Sequence, residues 1–198
     1  MKRLFQNSVR NLHSVRALTA GAVLIALQVV LAMTVSLPLT DSLHITFDRC
    51  ALALNASMLG PVMGMLSGAA ADLLQCLLHG WAYNPGLSLN EVIIGCLYGL
   101  FLFGRPAPGI PTRHRSLRET ARSAWRLVLC QAIICVVVNG LLGTLWLSLM
   151  YGWPYAMHLP VRMIKNLVQL PVDIVIIWAC LILRDKVYAA GTVKPFDR

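Results

Sequence analysis

The sequence predicts an all-α polytopic membrane protein, a bundle of six transmembrane helices. Three observations point there. Hydrophobic residues make up 58% of the 198 positions and charged residues only 13%, whereas a soluble domain carries about 45–50% and about 25%. The apolar residues gather into six segments punctuated by Pro, Gly and charge. The 17 Lys and Arg, against 8 Asp and Glu, cluster between those segments. Such a distribution orients a membrane protein and does not form a nucleic-acid-binding face.

The segments follow in order. Residues 1–16 are a basic N-terminus, and the first apolar run spans about 17–37, stopping before Pro38. It is too long for the h-region of a signal peptide and is followed by further runs, so it reads as an uncleaved first helix. The second segment, about 46–59, ends at the Gly60-Pro61 turn signal. It falls short of the ~20 residues a bilayer needs, so either it begins earlier, near Ile45, or it is partly covered by neighbouring helices. The third and fourth run over about 62–79 and 87–103. A linker at 104–121 carries Pro106, Pro108 and Pro111; the fifth and sixth segments span about 124–150 and 159–183, and a tail follows at 184–198. All form one domain. Helices are expected because in lipid each segment must satisfy its own backbone hydrogen bonds.

Orientation follows from the cations. The N-terminus has Lys2, Arg3, Arg10 and Arg16; the linker has Arg105, Arg113, Arg115 and Arg118; the tail has Arg184, Lys186, Lys194 and Arg198. The connections at 38–47, 79–86 and 151–158 have no Lys or Arg. The positive-inside rule puts both termini and the linker in the cytoplasm.

Several chemistries are excluded. There is no GxxxxGK[ST] phosphate loop, no HExxH and no GxSxG, and Cys50, Cys76, Cys96, Cys130, Cys135 and Cys180 form no CxxC pair. The chain therefore hydrolyses no ATP itself, and neither an enzymatic activity, a cofactor nor a metal is expected. Any transport against a gradient draws on a partner or an ion.

The most informative stretch lies in the sixth segment. Arg162, Lys165, Gln169 and Asp173 are spaced i, i+3, i+7 and i+11, so they share one helical face over about 16 Å. The stripe descends from the outer surface towards mid-membrane, where ionisable groups are costly and mark functional sites. The plainer readings are an internal salt-bridge network or Arg162 snorkelling at a helix end. Asn139, Gly143 and Trp146 form a second face at i, i+4 and i+7 on the fifth segment. There Asn139 can instead bond a neighbouring helix and Trp146 can belong to an aromatic belt. The outer connections add Phe47, Asp48 and Arg49, then Tyr83, Gly86, Asn90 and Glu91, with Trp81 nearby. Asp72 is the lone charge of the third segment. The candidate substrate-binding set is Phe47, Arg49, Asp72, Tyr83, Gly86, Asn90, Asn139, Trp146, Arg162, Lys165 and Gln169. Small residues recur as well: Ala22 and Ala26 make a smooth face on the first segment, and Gly64 with Gly68 a GxxxG on the third.

The stretches Val15-Arg-Ala-Leu-Thr-Ala-Gly-Ala22, Leu59-Gly-Pro-Val-Met-Gly64, Gly68-Ala-Ala-Ala-Asp72, Pro85-Gly-Leu-Ser-Leu89, Gly95-Cys-Leu-Tyr-Gly-Leu-Phe101, Thr144-Leu-Trp-Leu-Ser148 and Arg162-Met-Ile-Lys165 with Leu170-Pro171 carry a resemblance. In order and spacing they resemble the substrate-binding S component of energy-coupling factor (ECF) vitamin transporters, and within that group the folate family. The resemblance implies a six-helix subunit of a bacterial cytoplasmic membrane that captures a vitamin from outside. It implies docking on a separate transmembrane coupling protein driven by two ATPase subunits, with Ala22 and Ala26 matching the AxxxA docking face. The chain departs from the family pattern at Asp48-Arg49 and at Glu91. Folate suits the residues: its carboxylates can pair with Arg49, Arg162 or Lys165, its pterin edge with Asp72, Asp173 or Asn139, and its rings can stack on Phe47, Trp81, Tyr83 or Trp146. The alternatives are an S component for another vitamin or precursor, such as a pyrimidine, pantothenate or a queuosine precursor, a non-transport membrane scaffold, and an intramembrane enzyme.

Overall fold

A computed structural model describes residues 8–9, 14–34, 36–40, 43–80, 83–104, 117–152 and 154–189. Residues 1–7 and 10–13, the linker stretch 105–116, the tail 190–198 and Trp81 lie outside the described residues, and with them eight of the twelve basic positions named above.

Six helical bodies are found among the described residues. Helix α1 is Val15–Thr34. The sequence reading carried it to Leu37, but Ser36–Thr40 (β1) pairs antiparallel with Leu43–Thr46 (β2). The cause is local: the residue before Pro38 is pushed out of the helical region. The hairpin also takes the start of the second segment, so α2 begins only at Arg49 and ends at Leu59. Eleven residues give a rod of about 16 Å, half the ~30 Å hydrocarbon core.

That short helix is tolerated because it is sheathed in protein. It packs on α1 and on the helices Pro61–His79, Pro85–Leu102 and Tyr155–Ala189, and Ala51, Leu52, Ala53, Asn55, Ala56, Ser57 and Leu59 are all buried. Gly60, at φ +99°, turns the chain into α3 (Pro61–His79), whose first residue is proline, favoured there because its missing N–H has no helical partner anyway. Helix α4 (Pro85–Leu102) starts the same way, with Asn84 Oδ1 accepting from the Gly86 N–H at 2.9 Å. The fifth segment is one continuous helix in three parts: α5 (Leu117–Ile133), a π stretch (Ile134–Leu142) and α6 (Gly143–Tyr151). Helix α7 (Tyr155–Ala189) runs through Pro160 and Pro171 and is longer at both ends than the apolar run alone suggested.

Among the described residues five spans are long and apolar enough to cross a membrane: Val15–Thr34, Pro61–His79, Pro85–Leu102, Ser123–Met150 and Tyr155–Tyr188. Their outward faces expose Val23, Leu77, Leu149, Ile164 and Leu167, the arrangement lipid requires. Small residues fix the tightest seam. A Cβ on Gly64 would overlap the Gly95 carbonyl and one on Gly95 the Gly64 carbonyl, so α3 and α4 meet backbone to backbone. The shared core lies at the level of Leu52, Ile94, Tyr98, Leu127, Ile134 and Ile177.

Candidate functional site

Above that core the helices part around a cavity of about 580 Å³, within the range of small-molecule sites. Its polar lining comes from five places. Asp48 and Arg49 stand at the start of α2. Asp72, Gln75 and His79 descend one face of α3, Asn90 and Glu91 face in from α4, and Asn139 and Gly143 from the π stretch and α6. The predicted α7 stripe supplies Arg162, Lys165, Gln169 and Asp173, with Asn166 beside it.

The charges are arranged unevenly. Arg49 Nη2 makes an ion pair with Glu91 Oε1 at 3.1 Å and also donates to Asn139 Oδ1 at 3.3 Å. Asp173 accepts from Gln131 Nε2 and from Gln169 Nε2, both at 2.7 Å, and Gln131 accepts in turn from the Tyr98 hydroxyl at 2.8 Å. Asp72 accepts from the Ser88 hydroxyl. Arg162 and Lys165 have no ion pair among the described residues. Among the described residues five wall side chains each hold an enclosed polar atom with no hydrogen-bond partner: Asp48 Oδ1, Arg49 Nη1, Asn90 Oδ1, Glu91 Oε2 and Arg162 Nη1. Unmade bonds of this kind cost about 1–3 kcal/mol each.

The π stretch shapes one side of the site. Such segments widen the helix and leave carbonyls short of regular partners. Here Asn166 Nδ2 donates to the Cys135 carbonyl and Asn90 Nδ2 to the Val138 carbonyl, each at 3.3 Å, and Thr144 Oγ1 to the Gly140 carbonyl at 2.5 Å. Asn139, in the middle of the stretch, is thereby held towards Arg49. Gly143 leaves room for the cation opposite, since a Cβ there would stand 3.1 Å from Arg162 Nη1.

Seven of the eleven expected residues line this cavity: Arg49, Asp72, Asn90, Asn139, Arg162, Lys165 and Gln169. Four do not. Trp146 is pressed against Gly86, where any Cβ would run into the indole, so the pair clamps α6 onto the start of α4. Tyr83 is 48% exposed. Phe47 is half-buried, and its carbonyl accepts from the Cys50 thiol at 2.9 Å. Ala22 and Ala26 are exposed on α1, apart from the cavity. The expected set omitted Gln75, His79, Asn166, Asp48, Glu91 and Asp173. The i, i+3, i+7 spacing of Asp72, Gln75 and His79, and Asn166 one turn from Arg162, would have found three of them. Among the described residues no cluster of His, Cys, Asp or Glu could hold a metal ion, and all six cysteines are free.

The profile of a protein family described as "ECF transporter, substrate-specific component" matches residues 16–181, most of the chain. This chain belongs to the ECF substrate-specific component family. Two relatives are the folate transporter FolT of Clostridium novyi (strain NT), 24% identical over 155 residues and covering 78% of this chain and 81% of the relative, and the folate transporter FolT of Leuconostoc mesenteroides, 26% identical over 159 residues and 77% of each. A solved structure of FolT bound with folic acid superposes with a TM-score of 0.70 at 26% identity, covering 91% of this chain and 96% of that one. The S component for biotin from an ECF-type ABC transporter shares the fold, with a TM-score of 0.61 at 19% identity over 92% and 94% of the two chains. As an ECF substrate-specific component the chain is a membrane protein and one part of a transporter, in a family of transport components and not of enzymes.

Proposed function

We propose that this chain is the folate-capturing subunit of an ATP-driven importer. The observation that carries the reading is the Arg162 and Lys165 pair, one turn apart in the cavity wall with no acidic partner among the described residues. A half-buried pair of cations is stabilised by an anion that joins it, and the two carboxylates of folate's glutamate supply that anion through charge-assisted hydrogen bonds. The same cavity is lined by Asp72, an acceptor for the amino and ring N–H groups of a pterin. The FolT names of the relatives and the folic acid of the superposed structure support the same ligand.

The rest of the machine follows from the same reading. Both termini and the 104–121 linker face the cytoplasm of a bacterial cell and the cavity opens outwards, because the basic clusters stay inside. Ala22 and Ala26, exposed on α1, dock on a transmembrane coupling protein that two ATPase subunits drive. The test is calorimetric titration of the purified full-length chain in detergent with folate, pantothenate, a pyrimidine and a queuosine precursor, together with mass spectrometry of whatever co-purifies. Saturable binding of folate alone is expected. Tight binding of another member of the panel in its place overturns the assignment, and binding of none points to a scaffold.

A further inference from the structure

We propose that Glu91 sets the charge of the ligand by neutralising Arg49 from within, so that the cavity accepts two negative charges and gains nothing from a third. The inference rests on the folate reading above and adds the determinant of how anionic a folate can be.

Three cations face the cavity, Arg49, Arg162 and Lys165. They are not equivalent. Arg49 already has a carboxylate at 3.1 Å from Glu91, on a helix 42 residues further along, and an amide oxygen from Asn139. Asp48, its chain neighbour, makes no ion pair with it among the described residues. So Glu91 alone neutralises Arg49 by direct contact, and two cations remain for a ligand.

The position of Glu91 is built rather than incidental. Its backbone is seated against α3 at Gly68, where a Cβ would stand only 2.5 Å from the Glu91 carbonyl oxygen. The α3–α4 seam thus holds the carboxylate at one depth in the wall. Both partners keep some contact with the cavity, at 17% and 20% side-chain exposure, and each retains an enclosed polar atom with no partner, Arg49 Nη1 and Glu91 Oε2. Both side chains line the cavity, so the pair borders the ligand space. A third ligand carboxylate arriving near Arg49 would meet Glu91 first and be repelled.

The experiment is calorimetric titration of the full-length chain with a charge series: pteroate with one carboxylate, folate with two and pteroyldiglutamate with three. For the wild type, affinity should rise from one carboxylate to two and not rise further at three. In Glu91→Gln the freed Arg49 should raise the affinity for the three-carboxylate ligand relative to folate by at least about tenfold. In the double variant Arg49→Met, Glu91→Gln that ratio should return to the wild-type value. A wild type that gains a further tenfold at the third carboxylate overturns the proposal, whether or not the variants fold. An unchanged ratio in Glu91→Gln overturns it too, and marks the pair as structural. A wild type that binds none of the three overturns the folate reading itself, and this proposal with it.

Discussion

Removing the guanidinium of Arg162 should separate binding from stability. Arg162 is half-buried in the cavity wall with Nη1 enclosed and unbonded, and Lys165, a second cation, lies one turn away on α7. In the empty protein that arrangement is unfavourable, because two like charges share a partly desolvated wall with no ion-paired acid. In the loaded protein the same arrangement binds the anion. A charge-assisted hydrogen bond contributes about 1.5–3 kcal/mol, which at about 1.4 kcal/mol per tenfold is a loss of roughly 10- to 100-fold in affinity. Arg162→Ala should therefore bind folate that much more weakly, while the thermal midpoint of the ligand-free chain stays level or rises. Lys165→Ala should behave likewise. If both cations hold one carboxylate, the double variant should lose less than the product of the two single losses. An analogue lacking the glutamate carboxylates should bind wild type poorly and the variants about equally so. Titration calorimetry supplies the affinities and a thermal melt in detergent the midpoints. Folate binding to both single variants with wild-type affinity would mean that the pair anchors α7 at the membrane surface and that the pocket assignment is wrong.

Three further outcomes are expected. Ala22→Trp or Ala26→Trp should abolish folate uptake by cells while the purified chain still binds folate; uptake at the wild-type rate would remove the docking role. A cysteine at position 113, in a chain freed of its six native cysteines, should resist impermeant reagents in intact cells and react once the membrane is opened, and labelling from outside would reverse the topology. Gly95→Ala drives a methyl into the Gly64 carbonyl and should destabilise the chain by about 1–3 kcal/mol as overpacking, read as a lower thermal midpoint; an unchanged midpoint would show that the α3–α4 seam has slack.

Much of this protein is written in one dimension. The six apolar segments, their punctuation and the clustering of cations follow from composition, because a bilayer imposes length and internal hydrogen bonding on each span separately. The α7 stripe was legible for the same reason: residues at i, i+3, i+7 and i+11 share a face whatever the neighbours do, and all four of its members line the cavity. Identity of a face is a local property.

What a face meets is not. The sequence offers no sign that Arg49 pairs with Glu91 rather than with a ligand, since the two lie 42 residues apart and are joined only by the packing of α2 on α4. Trp146 has the composition of a ligand-stacking residue, but the close approach of α6 to α4 spends its ring on Gly86. The hairpin at Ser36–Thr46 and the half-length α2 arise because a span sheathed by other helices is released from the length that lipid demands of an exposed one. Local spacing determined which side chains stand together on a helix. Only the tertiary structure decided which of them are already satisfied and which still wait for a ligand, because burial and charge pairing depend on neighbours that are distant in the chain.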